Sequence, residues 1–262
     1  MKIISENGIL IVAIIFFATS CDILNQVSSS LPSSVPLTDS EIIQGLKEAL
    51  NVGTDKSVFK ASAVNGYLKN QAIKILLPQD VQDLKSKIDK NSIASAAYIT
   101  YIRKFNNGSD LFDELVTSMN RGAEKAAKKA SPIFLSAIKS MTISDARGIL
   151  NGGSTSATDY FHQKTNQELS NAFQPEVKNA LNNTGASKVY SRTYNFLSYD
   201  PGGLGLTTIG KILDISIEPS LEEYATNKSI EGLFYLVGEE EKQIRDNPYD
   251  YSKKILERVF GK

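Results

Sequence analysis

Glu124, Asp145 and Arg147 are the side chains in this sequence best suited to catalysis. Two carboxylates can share proton transfer as general acid and base. A guanidinium can clamp a carboxylate or phosphate through two parallel hydrogen bonds. If the three converge, the set suits a hydrolase or lyase. Asp159 offers a second carboxylate beside Asp145. Both acids also stand three residues after a hydroxyl, Thr142 and Ser156, which is the spacing of a helix capping box. Capping is the first expectation for each acid, and pairing with a neighbouring acid is the first for Arg147.

Asn120 and Glu124 lie one helical turn apart and share a side. With that side inward, they would build a buried polar network with Thr158 or Arg245. The candidate ligand-binding set is therefore Asn120, Glu124, Arg147, Thr158 and Arg245. Its bland counterpart is a solvated face or a purely structural network. His162 is the only imidazole. It follows Phe161, off the apolar stripe, and reads as a surface residue. His-Glu-x-x-His is absent, so no metal site is expected. The stretch 200–208 carries Gly-x-Gly but lacks the third glycine and a preceding strand, so it reads as a loop and not a phosphate cradle. No cofactor is expected. Upstream, Tyr190, Tyr194, Phe196 and Tyr199 either line an apolar groove or close the core. The chain has 29 Lys and Arg against 29 Asp and Glu. That balance argues against a nucleic-acid partner.

The lone cysteine, Cys21, makes a Cys-rich zinc site or an intrachain disulfide impossible. What precedes it gives it another meaning. Lys2 is followed by the unbroken apolar run 9–18, too short to span a bilayer as a stable helix and suited to a secretory signal. Ala18-Thr19-Ser20-Cys21 resembles the bacterial lipobox, with Ala18 where Leu is commoner. The resemblance implies cleavage before Cys21 and its lipidation. Residues 1–20 are thus read as a lipoprotein signal peptide. Residues 21–37, rich in Ser with Pro32 and Pro36, are read as the lipidated cysteine and a flexible tether.

The elements that must position the candidates are helical. Residues 38–262 are expected to form one compact all-α domain of several helices. Thr38-Asp39-Ser40-Glu41 opens a run with Ile42, Ile43, Leu46, Ala49 and Leu50, ended by Gly53. After Leu77-Pro78, Val81, Leu84 and Ile88 repeat at helical spacing. The clearest helix covers 111–129, with Leu111, Phe112, Leu115, Val116, Met119, Ala123, Ala126, Ala127 and Ala130 in one stripe. Ser131-Pro132 starts another, with Pro at the first helical position. Capping boxes at Thr142 and Ser156 open two more, the second closing before Pro175. Residues 189–197 fit a strand or a helix. Ile230, Leu233, Phe234, Val237 and Ile244 form a stripe ended by Asn247-Pro248, and 255–260 make a last short helix.

A longer pattern runs through these elements. It begins with Gly66-Tyr67, Ile73-Lys74-Ile75, Leu77-Pro78, Asn120-Arg121-Gly122-Ala123-Glu124 and Pro132-Ile133-Phe134. Ala137-Ile138, Met141-Thr142, Asp145-Ala146, Ile149-Leu150-Asn151-Gly152, Ala157-Thr158-Asp159-Tyr160-Phe161 and Thr165 continue it. Gly232-Leu233-Phe234, Glu241, Ile244-Arg245, Asn247-Pro248 and Val259-Phe260-Gly261 close it. In content and order it resembles the bacterial domain-of-unknown-function family 4197, from about residue 42 onward. Gly122 and Ser229 depart from it, standing where Ala is expected. The resemblance implies an exported, mostly helical protein of bacteria with two membranes, with no established activity.

The expected function is that of a lipid-anchored protein of the cell envelope, on the periplasmic side or at the outer membrane. Its helical domain would be non-catalytic and would bind a small ligand or an envelope partner. The alternatives are the carboxylate-dependent hydrolase or lyase, and an envelope scaffold with an exposed apolar patch of more than a few hundred Å². Acyl-lipid labelling checks the anchor: the wild-type chain should take up label and Cys21→Ser should not, and equal labelling of both would refute lipidation.

Overall fold

The computed structural model describes residues 38–183, 186–204, 207–214, 221–251, 257 and 259–261. Residues 1–37, read from the sequence as signal peptide, lipidated Cys21 and tether, lie outside the described residues. Helices follow in the order α1 (Asp39–Ser62), α2 (Gln79–Lys90), α3 (Ser92–Phe105), α4 (Leu111–Ala127), α5 (Ala130–Ser140) and α6 (Ile143–Asn151). After them come α7 (Ser156–Asn183), α8 (Ala186–Leu197), α9 (Ile209–Leu213) and α10 (Glu222–Asp246), then a 3₁₀ turn, Pro248–Tyr251. No strand occurs among the described residues. The fold is a single all-α domain, as the periodicity predicts.

Local signals place most helix starts. The Thr38 hydroxyl accepts from the Glu41 N–H while the Glu41 carboxylate accepts from the Thr38 N–H, a complete capping box. Asp110 and Asn91 cap α4 and α3 with their side-chain oxygens. The centre of the domain is α7, packed along α4 and α10, with α10 also lying on α1. The expected stripe is buried apart from the half-buried Val116, and its last member, Ala130, opens α5. The small residues of α4, Gly122, Ala123, Ala126 and Ala127, are all covered and let neighbouring helices approach closely.

Several expectations are corrected. The first helix passes through Gly53 to Ser62. Gly53 is buried against α10, where an added Cβ would stand 3.4 Å from Ile244 Cδ1. Packing on α10 outweighs the helix cost of glycine. Helix α7 likewise runs through Pro175. Pro175 is exposed, whereas Leu169, Phe173, Val177 and Leu181 are buried on the opposite side. Burying four large apolar side chains at about 2 kcal/mol each exceeds the roughly 3 kcal/mol cost of an internal proline. Residues 189–197 belong to α8, because Tyr190, Thr193, Phe196 and Leu197 are buried at helical spacing. They close the core, with Phe196 stacked edge-on against Tyr98 and Tyr101. Helix α4 ends at Ala127, short of residue 129. Pro132 is the third residue of α5 and not the first. There it is still in the opening turn, where no intrahelical acceptor awaits its missing N–H. The helix expected at 255–260 lies largely outside the described residues, though Glu257, Val259 and Phe260 are helical.

Close approach is tightest at Gly232 on α10. A Cβ there would meet Tyr67 Cε1 at 2.7 Å and Ile73 Cβ at 3.1 Å. Tyr67 is fully buried and its hydroxyl donates to the Ser229 carbonyl at 2.5 Å, so the ring cannot retreat. Gly232→Ala should cost about 1–3 kcal/mol in urea unfolding. Gly53→Ala, with ordinary contacts and a better helix former, should be neutral or stabilising by up to about 1 kcal/mol.

Candidate functional site

The candidate residues fall into two buried polar clusters and a scattered surface remainder. The first cluster holds the irregular chain between α1 and α2 against α4. Glu124 Oε1 accepts from the N–H groups of Tyr67 (3.3 Å) and Leu68 (3.2 Å). Its Oε2 accepts from Arg121 Nη1 at 2.7 Å, and Arg121 Nη2 donates to Asn65 Oδ1 at 2.9 Å. Asn65 turns the chain with φ 70°, a left-handed conformation that Asn tolerates. One turn earlier on α4, Asn120 Oδ1 accepts from the Ile75 N–H at 2.9 Å, and its Nδ2 donates to the Ile75 carbonyl at 2.8 Å. Burial, reinforced by the Glu124 carboxylate, raises the Tyr67 phenol above its ordinary range.

The second cluster joins α10, α6 and the start of α7. Glu241 Oε1 accepts from the Ala157 N–H at 2.9 Å. Its Oε2 accepts from the N–H and the hydroxyl of Thr158, both at 2.8 Å. Ala157 and Thr158 lie in the first turn of α7, so these are N–H groups with no intrahelical acceptor. A carboxylate there also faces the positive end of the helix dipole. Arg245, one turn on, donates to Glu241 Oε1 from Nε (3.0 Å) and Nη2 (2.8 Å), and from Nη2 to the Ile149 carbonyl at 2.9 Å. The capping box expected at Ser156–Asp159 is not formed. The helix has already begun at Ser156, Asp159 is exposed, and Glu241 supplies the cap from another helix.

Asn120 and Glu124 therefore contact neither Thr158 nor Arg245, and the single network expected of them is two. Asp145 completes the Thr142 capping box of α6, accepting from the Thr142 N–H (3.0 Å) and hydroxyl (2.7 Å). These hydrogen bonds, the hydroxyl's first, hold its carboxyl below the ordinary range. Arg147 is exposed and reaches both carboxylate oxygens of Asp39 at 2.7 and 2.8 Å. Glu124, Asp145 and Arg147 thus have separate partners and do not meet. His162 is exposed, its ring 4.7 Å from that of Phe234. In the 200–208 loop, the Gly202 N–H turns inward to Asp200 Oδ1 at 2.8 Å. Among the described residues no group of three His, Cys, Asp or Glu side chains could hold a metal ion.

Two participants escaped selection as site residues, Glu241 and Arg121. The signal for Glu241 was present: Val237, Glu241 and Ile244 follow i, i+4, i+7, which puts an acid on the inward stripe. Glu241 and Arg245 border an apolar cavity of about 20 Å³ that Leu46, Leu50 and Phe161 also line. That is space for one water and not for a metabolite. Every described buried side-chain N or O atom has a hydrogen-bond partner.

The family described as a protein of unknown function, DUF4197, matches residues 36–261. The chain belongs to the DUF4197 family. No curated protein and no solved structure matches it. Several of the motifs noted in the sequence meet in the two clusters. Asn120, Arg121 and Glu124 hold the crossover that contains Gly66-Tyr67 and Ile73-Lys74-Ile75. Glu241 and Arg245 hold Ala157-Thr158. Ser229, one of the two departures from the DUF4197 pattern, donates its hydroxyl to the Ala225 carbonyl at 2.6 Å and so remains satisfied in the core.

Truncations should rank by what they strand. Glu241→Ala leaves Arg245 unpaired beside two uncapped N–H groups and should cost roughly 3 kcal/mol or more in urea unfolding. Asp145→Ala loses an exposed cap and should cost about 1 kcal/mol. Arg147→Ala should leave the unfolding midpoint nearly unchanged, as an exposed pair contributes little. Because the folded carboxyl of Asp145 titrates below its unfolded value, its contribution is complete above the unfolded pKa. It fades as pH falls through the lowered folded value, and Asp145→Asn should remove that acid dependence.

Proposed function

We propose that the protein is a lipid-anchored component of the bacterial cell envelope whose helical domain is non-catalytic and works by binding. The observation that carries the binding reading is the engagement of the candidate groups. Glu124 and Glu241 each accept three or more hydrogen bonds from the fold itself. Asp145 caps its own helix, and Arg147 is spent on Asp39 at the surface. A general acid or base needs a free proton position within reach of a substrate. Glu124 and Glu241 instead lie under the packed helices, and each already has an arginine partner.

The anchoring part rests on the lipobox-like Ala18-Thr19-Ser20-Cys21 after a short apolar run. No described helix is long and apolar enough to cross a membrane. Attachment would therefore depend on the acyl chains at Cys21, of which more than one is needed for a stable anchor. The unknown partner is a small ligand or another envelope protein, brought close by confinement to one membrane surface.

Fractionation tests the reading. Expressed in a bacterium with two membranes, the wild-type chain should sediment with membranes and be released by detergent but not by high salt. Cys21→Ser should appear in the soluble fraction. Sedimentation of both chains alike would refute a lipid anchor.

A further inference from the structure

The crossover from α1 to α2 contains a stretch of chain that behaves as a strand. Residues 75–77 lie outside helix and turn, and the last helical-type bond before them runs from the Lys74 N–H to the Asn70 carbonyl at 2.8 Å. Side chains here alternate: Ile73, Ile75 and Leu77 are buried, Lys74 is half-buried and Leu76 is 56% exposed. That period of two is the pattern of extended chain. The Asn120 carboxamide stands where a neighbouring strand would, pairing with both the N–H and the carbonyl of Ile75.

In extended chain, the backbone groups of successive residues point to opposite edges. Because a trans peptide sets its N–H opposite its carbonyl, the Lys74 carbonyl and the Leu76 N–H lie on the edge away from Asn120 and α4, while the Lys74 N–H turns back to the Asn70 carbonyl. The Leu76 carbonyl shows this directly, accepting from the Tyr224 hydroxyl of α10 at 3.0 Å. Two groups on that edge, the Lys74 carbonyl and the Leu76 N–H, have no partner among the described residues. The edge borders a groove of about 420 Å³, walled on its other side by α10. Leu76 and Tyr235 (47% exposed) supply apolar surface. Lys228 and Glu231 neutralise each other at 2.6 Å, so that pair adds no net charge to the wall.

We propose that this groove binds an extended, apolar peptide segment of a partner protein, which adds to residues 74–76 as a second strand. The acceptor on Lys74 and the donor on Leu76 flank one residue, the arrangement with which one strand recognises another. The incoming backbone donates to the Lys74 carbonyl and accepts from the Leu76 N–H. Main-chain pairing of this kind supplies affinity, and side-chain pockets supply selectivity. Here a large apolar residue packs against Leu76 and Tyr235. A second copy of this chain is a poorer occupant, because its own edge is walled by its own α10. The proposal rests on the binding reading above and names the class of partner.

The test uses the full chain in detergent and a display library of short random linear peptides, followed by binding measurements on enriched peptides. Enriched peptides should be apolar, and binding should slow hydrogen exchange at the Leu76 amide. Methylation of the peptide backbone should weaken binding at alternate nitrogens. Leu76→Pro, which removes the N–H where Ile75 is already extended, should weaken binding about tenfold or more. Leu76→Ala, which keeps the N–H, should weaken it less. Exchange and peptide methylation are read on the unmutated protein, so a Leu76→Pro chain that fails to fold leaves the proposal testable. Enrichment of no peptide, unchanged Leu76 exchange, or equal binding by folded Leu76→Pro and wild type would overturn it. Repeating the measurement with Cys21→Ser separates this proposal from the anchor, since peptide binding should persist without the lipid.

Discussion

A buried backbone N–H must find an acceptor, and at two places among the described residues a carboxylate from another helix supplies it. The first is the irregular crossover between α1 and α2. The second is the first turn of α7, which begins under α10. An orphaned donor costs about 1–3 kcal/mol, a substantial part of a domain's whole stability. Glu124 and Glu241 resolve both cases in the same manner. Each projects from a central helix and accepts two neighbouring N–H groups with one carboxylate.

Using an anion as acceptor has consequences for the residues around it. A carboxylate taken from water requires a cation. Arg121 and Arg245 provide it from one turn away on the same helices. Each arginine then has donors left over, which go to Asn65 and to the Ile149 carbonyl. The two networks close on themselves and tie distant stretches of sequence together. A third acid, Glu240, is almost fully buried and pairs with Lys60 at the end of α1. The charged residues inside this domain act as fasteners between helices.

The same crossover gives the domain a strand-like feature. Residues 75–77 run without helix between Asn120 of α4 and Tyr224 of α10. Asn120 satisfies one edge of that segment, Tyr224 part of the other, and the remainder faces a groove. In a helical domain nearly every backbone group is used internally, which makes such an edge unusual as a place for another chain. A domain held at a membrane by its N-terminus would present this groove to proteins sharing that surface. Stability and binding would then have the same origin, a non-helical passage through a helical core.

The sequence by itself determined the helical class, the α4 stripe, the caps at Thr38 and Thr142, the stop at Asn247-Pro248 and the family. Each of these depends on residues a few positions apart, and such patterns are local. It also pointed to Asn120, Glu124, Thr158 and Arg245 as members of buried polar networks. It did not decide who pairs with whom. Asn120 binds Ile75, 45 residues away, and Thr158 binds Glu241, 83 residues away. Local cues misled where a distant helix compensated. Gly53 and Pro175 look like helix stops, yet burial of their neighbours carries the helices through. Ser156 looks like a cap, yet Glu241 does that work from α10. Tertiary structure decided these points because the energy of a buried hydrogen bond or apolar contact belongs to a pair, and only the fold chooses the second member.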